Sequence, residues 1–285
     1  MSDLPGLLLL SFMALGLIAL GWWLIFETEG VYLGRRTVVW LYDRYANRYD
    51  EIKQYQPEYE RWLLAHPIMT SIQPHRSPLV LDVATGTGRL PLALVNHPDF
   101  HGHVIGLDLS RRMLQNAARK LPVASTHVSL IWGAAETLPF EDNLFDVIAC
   151  LESLEFMENP KRVLRELARV LRPGGLLLLS NRINTRLMPG KIWSEDELRT
   201  LLYDLGVEQT AFEPWQQDYA KVWGEKSGKA NPKGARPLAE ILRCPRCPDS
   251  LMIEQHGTWV CETCNGRANI GVDGVINLYP LQNPH

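Results

Sequence analysis

The apolar positions of this chain follow three different rhythms. Leu4 to Phe26 has none: LPGLLLLSFMALGLIALGWWLIF is apolar or small on every side and carries no charge. Its length matches the roughly 20 residues an α-helix needs to cross a bilayer. Pro57 to Ile72 has a helical period through Tyr59, Trp62, Leu63, Leu64 and Ile68, and stops at Gln73-Pro74. From residue 79, short apolar runs alternate with stretches at helical spacing. The runs predict buried strands at about 79–84, 103–108, 128–132, 145–150 and 176–179. The stretches between them predict helices at 89–96, 111–120 (capped by Ser110), 160–170 and, from a capping-box pattern at Ser194 to Glu197, 194–205. Two later stretches, 207–212 and 218–224, read as a hairpin and bring the strands to seven.

Strands that alternate with helices predict a mostly parallel sheet with ligand sites at the strands' carboxyl ends. The expected fold is therefore α/β: a seven-stranded, Rossmann-like sheet with helices on both faces. Lys226 to Lys233 is rich in Gly, Lys and Pro without apolar periodicity and reads as a linker. The predicted organisation is an anchor (1–30), juxtamembrane or lid helices (31–76), a catalytic domain (77–225), a linker (226–239) and a small terminal module (240–285).

Composition changes this picture little. The 285 residues are 46% hydrophobic with net charge −3, which gives no basic footprint for nucleic acid. Charge placement matters more. Arg35, Arg36, Arg44, Arg48 and Lys53 follow the first apolar run and no Lys or Arg precedes it, so the positive-inside rule puts the N-terminus outside and the rest in the cytoplasm. A cleaved signal peptide is the rival reading, but it wants a basic start and a small-residue cleavage site, and neither is present. A buried core helix is the third.

The chemistry gathers at Val80 to Arg89, VLDVATGTGR. An apolar strand, an acid and a Gly-x-Gly turn lead into a helix N-terminus, so a ligand can approach the backbone there. A dinucleotide fingerprint would need a third glycine where Pro91 stands. Asp82 suits a nucleoside with a cationic tail better than a pyrophosphate. Asp108, ending the second strand, can accept hydrogen bonds from both ribose hydroxyls. A bare nucleotide fold, with its glycines serving only the turn, is the alternative.

LDVATGTGRL followed by VIGLDLS resembles the cofactor loops of class I S-adenosylmethionine (SAM)-dependent methyltransferases. Gly133 to Ile148, GAAETLPFEDNLFDVI, is similar to a long irregular run of that family, and RVLRPGGLLLLSNR is similar to another. Tyr42 to Asp50, YDRYANRYD, resembles the segment that folds as a lid over SAM in the ubiquinone/menaquinone branch; the other reading is a juxtamembrane helix with an aromatic stripe and a basic face. The resemblance implies a cofactor site of Asp82, Ala84, Gly86, Gly88, Asp108, Leu109, Ala135, Glu136 and Tyr49. Asp82 would orient the amino end, Asp108 the ribose, and Leu109, Ala135 and Glu136 the adenine. Ala134 departs from the pattern, which often has an Asp reaching the adenine amino group. Glu155, with Glu152 before it, stands where many relatives carry acceptor-facing histidines. Either acid is a candidate base, or else a helix cap or a solvated group.

Cys244-Pro-Arg-Cys247 and Cys261-Glu-Thr-Cys264, thirteen residues apart, have the spacing of a tetrahedral zinc site with four thiolates, closed and therefore structural. A redox pair is the alternative. The module resembles the small zinc-ribbon proteins that partner and activate methyltransferases. Cys150, alone at a strand end, reads as a core residue. The expected function is membrane-anchored methyl transfer from SAM to a small-molecule or lipid acceptor. RNA or protein methylation gripped by the ribbon, and a non-catalytic interaction protein, are the competing classes.

Overall fold

The computed structural model describes residues 4–121, 127–183, 188 and 192–282. Helix α1 (Leu4–Trp22) continues through a wide turn, Trp23–Glu27, and projects from the body of the protein with no residue of Pro5–Glu27 buried. The connection that follows is not a loose tether. Thr28 is fully buried, and Gly30 (φ +75°) faces Leu41 Cδ1 and Thr37 Cγ2 at 3.0 Å from where a Cβ would stand. Any side chain there would be crowded and in the left-handed region. α2 (Arg35–Tyr45) and α3 (Tyr49–Lys53) follow, joined by a tight turn at Ala46–Arg48.

The rod expected over 57–72 forms in three pieces: α4 (Pro57–Glu60), a wide turn Arg61–Ala65 and α5 (His66–Ser71). Pro67 has no N–H to donate, and the bulge lies just before it. Leu64, Ala65, Ile68 and Met69 bury against Val80, Leu90 and Leu94.

The central sheet is built from β1 (Leu79–Val83), α6 (Arg89–Val95), β2 (His103–Asp108), α7 (Arg111–Lys120), β3 (Val128–Trp132), β4 (Phe145–Cys150), α8 (Pro160–Val170), β5 (Leu171–Arg182), α9 (Glu195–Asp204), β6 (Val207–Gln216) and β7 (Tyr219–Lys226). β1 is buried along its whole length, Asp82 included, as a central strand covered on both faces must be. Ser110, Asn159 and Ser194 cap α7, α8 and α9 through their side chains.

The terminal module carries β8 (Met252–Gln255), β9 (Thr258–Cys261) and β10 (Arg267–Asn269), an antiparallel three-stranded sheet. Its last strand, β11 (Ile276–Asn277), leaves the module and pairs in parallel with β3. Among the described residues the large sheet takes the seven expected strands from the catalytic domain and an eighth from the tail, in the order β11-β3-β2-β1-β4-β5-β7-β6, with β7 antiparallel to both its neighbours. The strand order reverses at β1 and β4, and the crevice above that point is where such sheets hold ligands. Module and sheet share one core: Met252, Trp259, Ala268 and Leu281 pack with Leu138 and Phe140. Arg111 ties the tail down, bonding both oxygens of Asp273 at 2.8 Å and Asn277 at 2.7 Å.

The stretch read as a linker is likewise built in. Buried Asp146 accepts from the backbone N–H groups of Leu79, Lys233 and Gly234 and from Arg172 Nε at 2.6 Å. Burial alone would raise this carboxyl, but these donors hold it below its usual range.

Candidate active site

The floor of the site is made where β1 and β2 end. Asp82 is buried and accepts from Thr85 Oγ1 at 2.6 Å. Burial pushes its carboxyl up to about 7, against the Thr85 hydrogen bond. The chain then turns through Ala84 (φ +57°) and Gly86 (φ +56°). This turn aims the Gly86 N–H at Asp108 Oδ2, 2.8 Å away, while the other carboxylate oxygen takes the Ser110 N–H at 2.7 Å. Burial lifts Asp108 to about 6 even against those donors. Leu107, Leu109, Met113, Ala135 and Glu136 complete this side.

The roof comes from the anchor side of the chain. α2 lays Val38, Val39 and Tyr42 over the crevice, and α3 adds Tyr49. The roof is latched at several points. Asp43 accepts from Ser110 Oγ at 2.6 Å, Asp50 accepts from Thr87 Oγ1 and Lys120, and Arg35 lies 3.4 Å from Glu136. Floor and roof enclose a cavity of about 800 Å³, open to solvent. A smaller chamber shares Tyr49, Ala84, Gly86, Leu151 and Glu152 with it and is lined by Asp82, Thr85, Thr87, Arg89 and Tyr55.

The two candidate bases differ. Glu152 lines both chambers, with φ +49°. Lys53 reaches it at 2.7 Å, Arg89 at 2.6 Å and Gln216 at 3.0 Å. Burial would raise Glu152, but Lys53 and Arg89 outweigh it and hold the carboxyl below its usual range. A carboxylate kept ionised by two cations is a weak base. Glu155 is buried beside the cavity, outside its wall, accepting from the Tyr219 hydroxyl with Arg182 at 3.7 Å. Burial raises its pKa.

Ala84, Gly86, Asp108, Leu109, Ala135, Glu136 and Tyr49 thus converge on the larger cavity, and Asp82 lines the smaller chamber beside it. Gly88 does not. Its φ of +81° makes the turn, but a Cβ there would stand 2.7 Å from Leu121 Cδ1, so this glycine serves the packing of α7. Ala134 faces a separate hollow with Tyr279 and Arg246. Sequence reasoning passed over Arg35, Val38, Val39, Tyr42, Lys53 and Arg89. Of these only Tyr42 lies in the YDRYANRYD run, which marks the segment without saying which side chains turn inward; Arg89 closes the glycine loop, and Arg35, Val38, Val39 and Lys53 belong to no motif. Tyr42 carries more: its hydroxyl donates to Glu29 Oε2 at 2.9 Å, so the foot of α1 reaches the cavity wall.

The four cysteine sulfurs lie within 4.8 Å of one another, with Cys244 and Cys264 3.7 Å apart. Zinc–sulfur bonds of ~2.3 Å at tetrahedral angles put sulfurs ~3.8 Å apart, so the donor set and its spacing fit that ion.

Residues 81–179 match the model of the methyltransferase domain family. A demethylmenaquinone methyltransferase of Listeria monocytogenes is 34% identical over 165 residues, 58% of this chain and 67% of that protein. A ubiquinone/menaquinone biosynthesis C-methyltransferase of Roseobacter denitrificans is 33% identical over 158 residues, 54% and 62% of the two chains. Among solved structures, a chain from the complex of the Haloferax volcanii Trm112 methyltransferase activator with a methyltransferase has a TM-score of 0.53 at 21% identity, covering 66% of this chain and 98% of that one. The SpnF cyclase gives 0.54 at 18% identity, covering 69% and 98%. These two share the fold. The glycine turn, the paired acids at the strand tips and the sequence relatives lead to one conclusion: the chain belongs to the SAM-dependent methyltransferases.

Proposed function

We propose that this methyltransferase acts at a membrane, transferring the methyl group of SAM to a quinone-type small molecule or lipid that reaches the cavity from the bilayer. One observation carries this reading. Tyr42 belongs to the cavity wall and is hydrogen-bonded to Glu29, at the foot of an uncharged helix long enough to span a bilayer. The relatives named for quinone biosynthesis point to the same acceptor class. The basic residues after α1 support an orientation with the N-terminus outside and the catalytic domain in the cytoplasm.

Bound SAM supplies a methyl group on a sulfonium, already electrophilic, so the chain's task is to align partners and exclude water. Asp82 answers the cationic amino end and Asp108 the ribose. Leu109, Ala135 and Glu136 frame the adenine, and Ala84 and Gly86 give the close approach. Tyr49 and Tyr42 close the roof. Glu152, held ionised, serves as a counter-charge rather than a base. The four cysteines hold one structural zinc, which fixes residues 240–285 against the sheet.

The test is methyl-labelled SAM given to the full chain with a membrane lipid extract. Label should enter the organic phase as a chromatographically discrete product. Label confined to protein or RNA overturns the acceptor class. Metal analysis should return about one zinc per chain.

A further inference from the structure

The outer face of the roof is exposed and takes no part in the cavity. α2 turns Val38, Val39 and Tyr42 inward. Its opposite face presents Arg36, Trp40 and Arg44, and the stripe continues to Arg48, each residue four after the last. All four are exposed, Trp40 to 59%, with Leu33 (45%) and Tyr45 (40%) beside them. Among the described residues none of the three arginines has an ion-pair or hydrogen-bond partner, whereas Arg35, on the inner side, reaches Glu136. Between Thr28 and Arg48 the only acids are Glu29, bonded to Tyr42, and Asp43, bonded to Ser110. Exposed Glu27 and Glu51 stand just outside the two ends of this stretch.

This stripe lies close to the predicted span. Eight positions separate Glu27 from Arg35, at most ~28 Å of extended chain. The connection is far shorter than that, because Gly30 N bonds Leu24 O, Trp23 stacks on Tyr32 at 5.2 Å and Gly30 packs on Leu41. α2 is thus packed against the foot of α1.

We propose that the outer face of α2 docks on anionic phospholipid headgroups, with Trp40 at the interfacial level and Arg36, Arg44 and Arg48 on the phosphates. Juxtamembrane cations flanking an amphipathic aromatic side chain are the chemistry such a surface recognises. The consequence is specific: the helix whose inner face roofs the cofactor cavity rests its outer face on the membrane, so lipid charge bears on the roof. The inference rests on the reading of α1 as a membrane anchor.

The test reconstitutes the full chain into vesicles of phosphatidylcholine, with or without about one third phosphatidylglycerol, carrying brominated acyl chains as quencher. Flotation reports the anchor. The difference between wild type and Trp40→Phe isolates the fluorescence of Trp40. Expected are flotation with both vesicles, Trp40 quenched about twofold more in the anionic ones at low salt, and that excess lost in the combined Arg36→Gln, Arg44→Gln, Arg48→Gln variant. SAM affinity measured by calorimetry in detergent should be unchanged in the variant, because none of the three arginines lines the cavity. Flotation without quenching of Trp40 overturns the docking and leaves the anchor standing. Equal quenching in both vesicles, unaltered in the triple variant, overturns the assignment to anionic headgroups. Failure to float overturns the anchor and the docking together.

Discussion

The floor and roof of the cavity are held in opposite ways. In the floor, Asp82 bonds Thr85 three residues away, and Asp108 bonds Ser110 two residues away and the Gly86 turn 22 positions before it, after the neighbouring strand. In the roof, Asp43 meets Ser110 across 67 positions and Lys53 meets Glu152 across 99. The floor's bonds form as the sheet forms. The roof's bonds join side chains from distant segments, many half-exposed, and can break while the sheet stays intact. The difference sets a locally built receptor under a cover assembled from distant segments.

The largest effect is expected from breaking the floor. Asp108→Ala removes the carboxylate that aligns the Gly86 and Ser110 N–H groups and would receive the ribose. With charge-assisted hydrogen bonds worth ~1.5–3 kcal/mol each, SAM affinity should fall about 100-fold or more by calorimetry. Retained affinity would remove Asp108 from the cofactor site.

Protonation tests the same floor without mutation. Asp82, lifted by burial to about 7, carries its proton in the empty protein at lower pH. A cationic cofactor favours the ionised form, so binding must expel that proton. SAM should bind about tenfold tighter at pH 8 than at pH 6, and calorimetry in two buffers of different ionisation enthalpy should detect proton release at pH 6. The stability of the empty protein moves the other way. A carboxyl raised above its unfolded value leaves folding unpenalised below about pH 4; stability then falls as pH rises, and the loss is complete above about pH 7. Affinity independent of pH would sink the assignment of Asp82.

The roof should respond more gently. Asp43→Ala removes the latch to Ser110, a net ~1 kcal/mol, and cofactor release followed by stopped flow should quicken about fivefold with thermal stability nearly unchanged. A collapse of stability would mean that the roof is part of the core. The smallest effect on binding is expected from Gly88→Ala. Its strained φ costs roughly 1–2 kcal/mol, lowering Tm by a few degrees while leaving SAM affinity within about twofold.

The contrast explains what could be read in advance. The floor was legible because its determinants are local: an apolar run, an acid and glycines that must turn give β1, Asp82 and Gly86, and the second strand gives Asp108. The cysteine spacing was legible for the same reason. The inward side chains of the roof were not. Nothing near Val38 or Tyr42 in sequence states which face of α2 meets strand tips some 70 to 100 residues later. Strand β11 escaped notice because two residues, Ile276 and Asn277, carry no period of their own and are defined only by the β3 edge they join. The supposed linker hid its purpose because it bonds through backbone N–H groups, which any residue type except proline supplies.

Asp146 has a consequence for the order in which the protein is made. It leaves the ribosome 87 and 88 residues ahead of Lys233 and Gly234, the two backbone donors that complete its shell. At ~5–20 residues per second that is a delay of roughly 4–18 s. A chain cut before Lys233 would leave Asp146 with the Leu79 N–H, Arg172 and His75 as its protein partners, and should be less stable than the full chain.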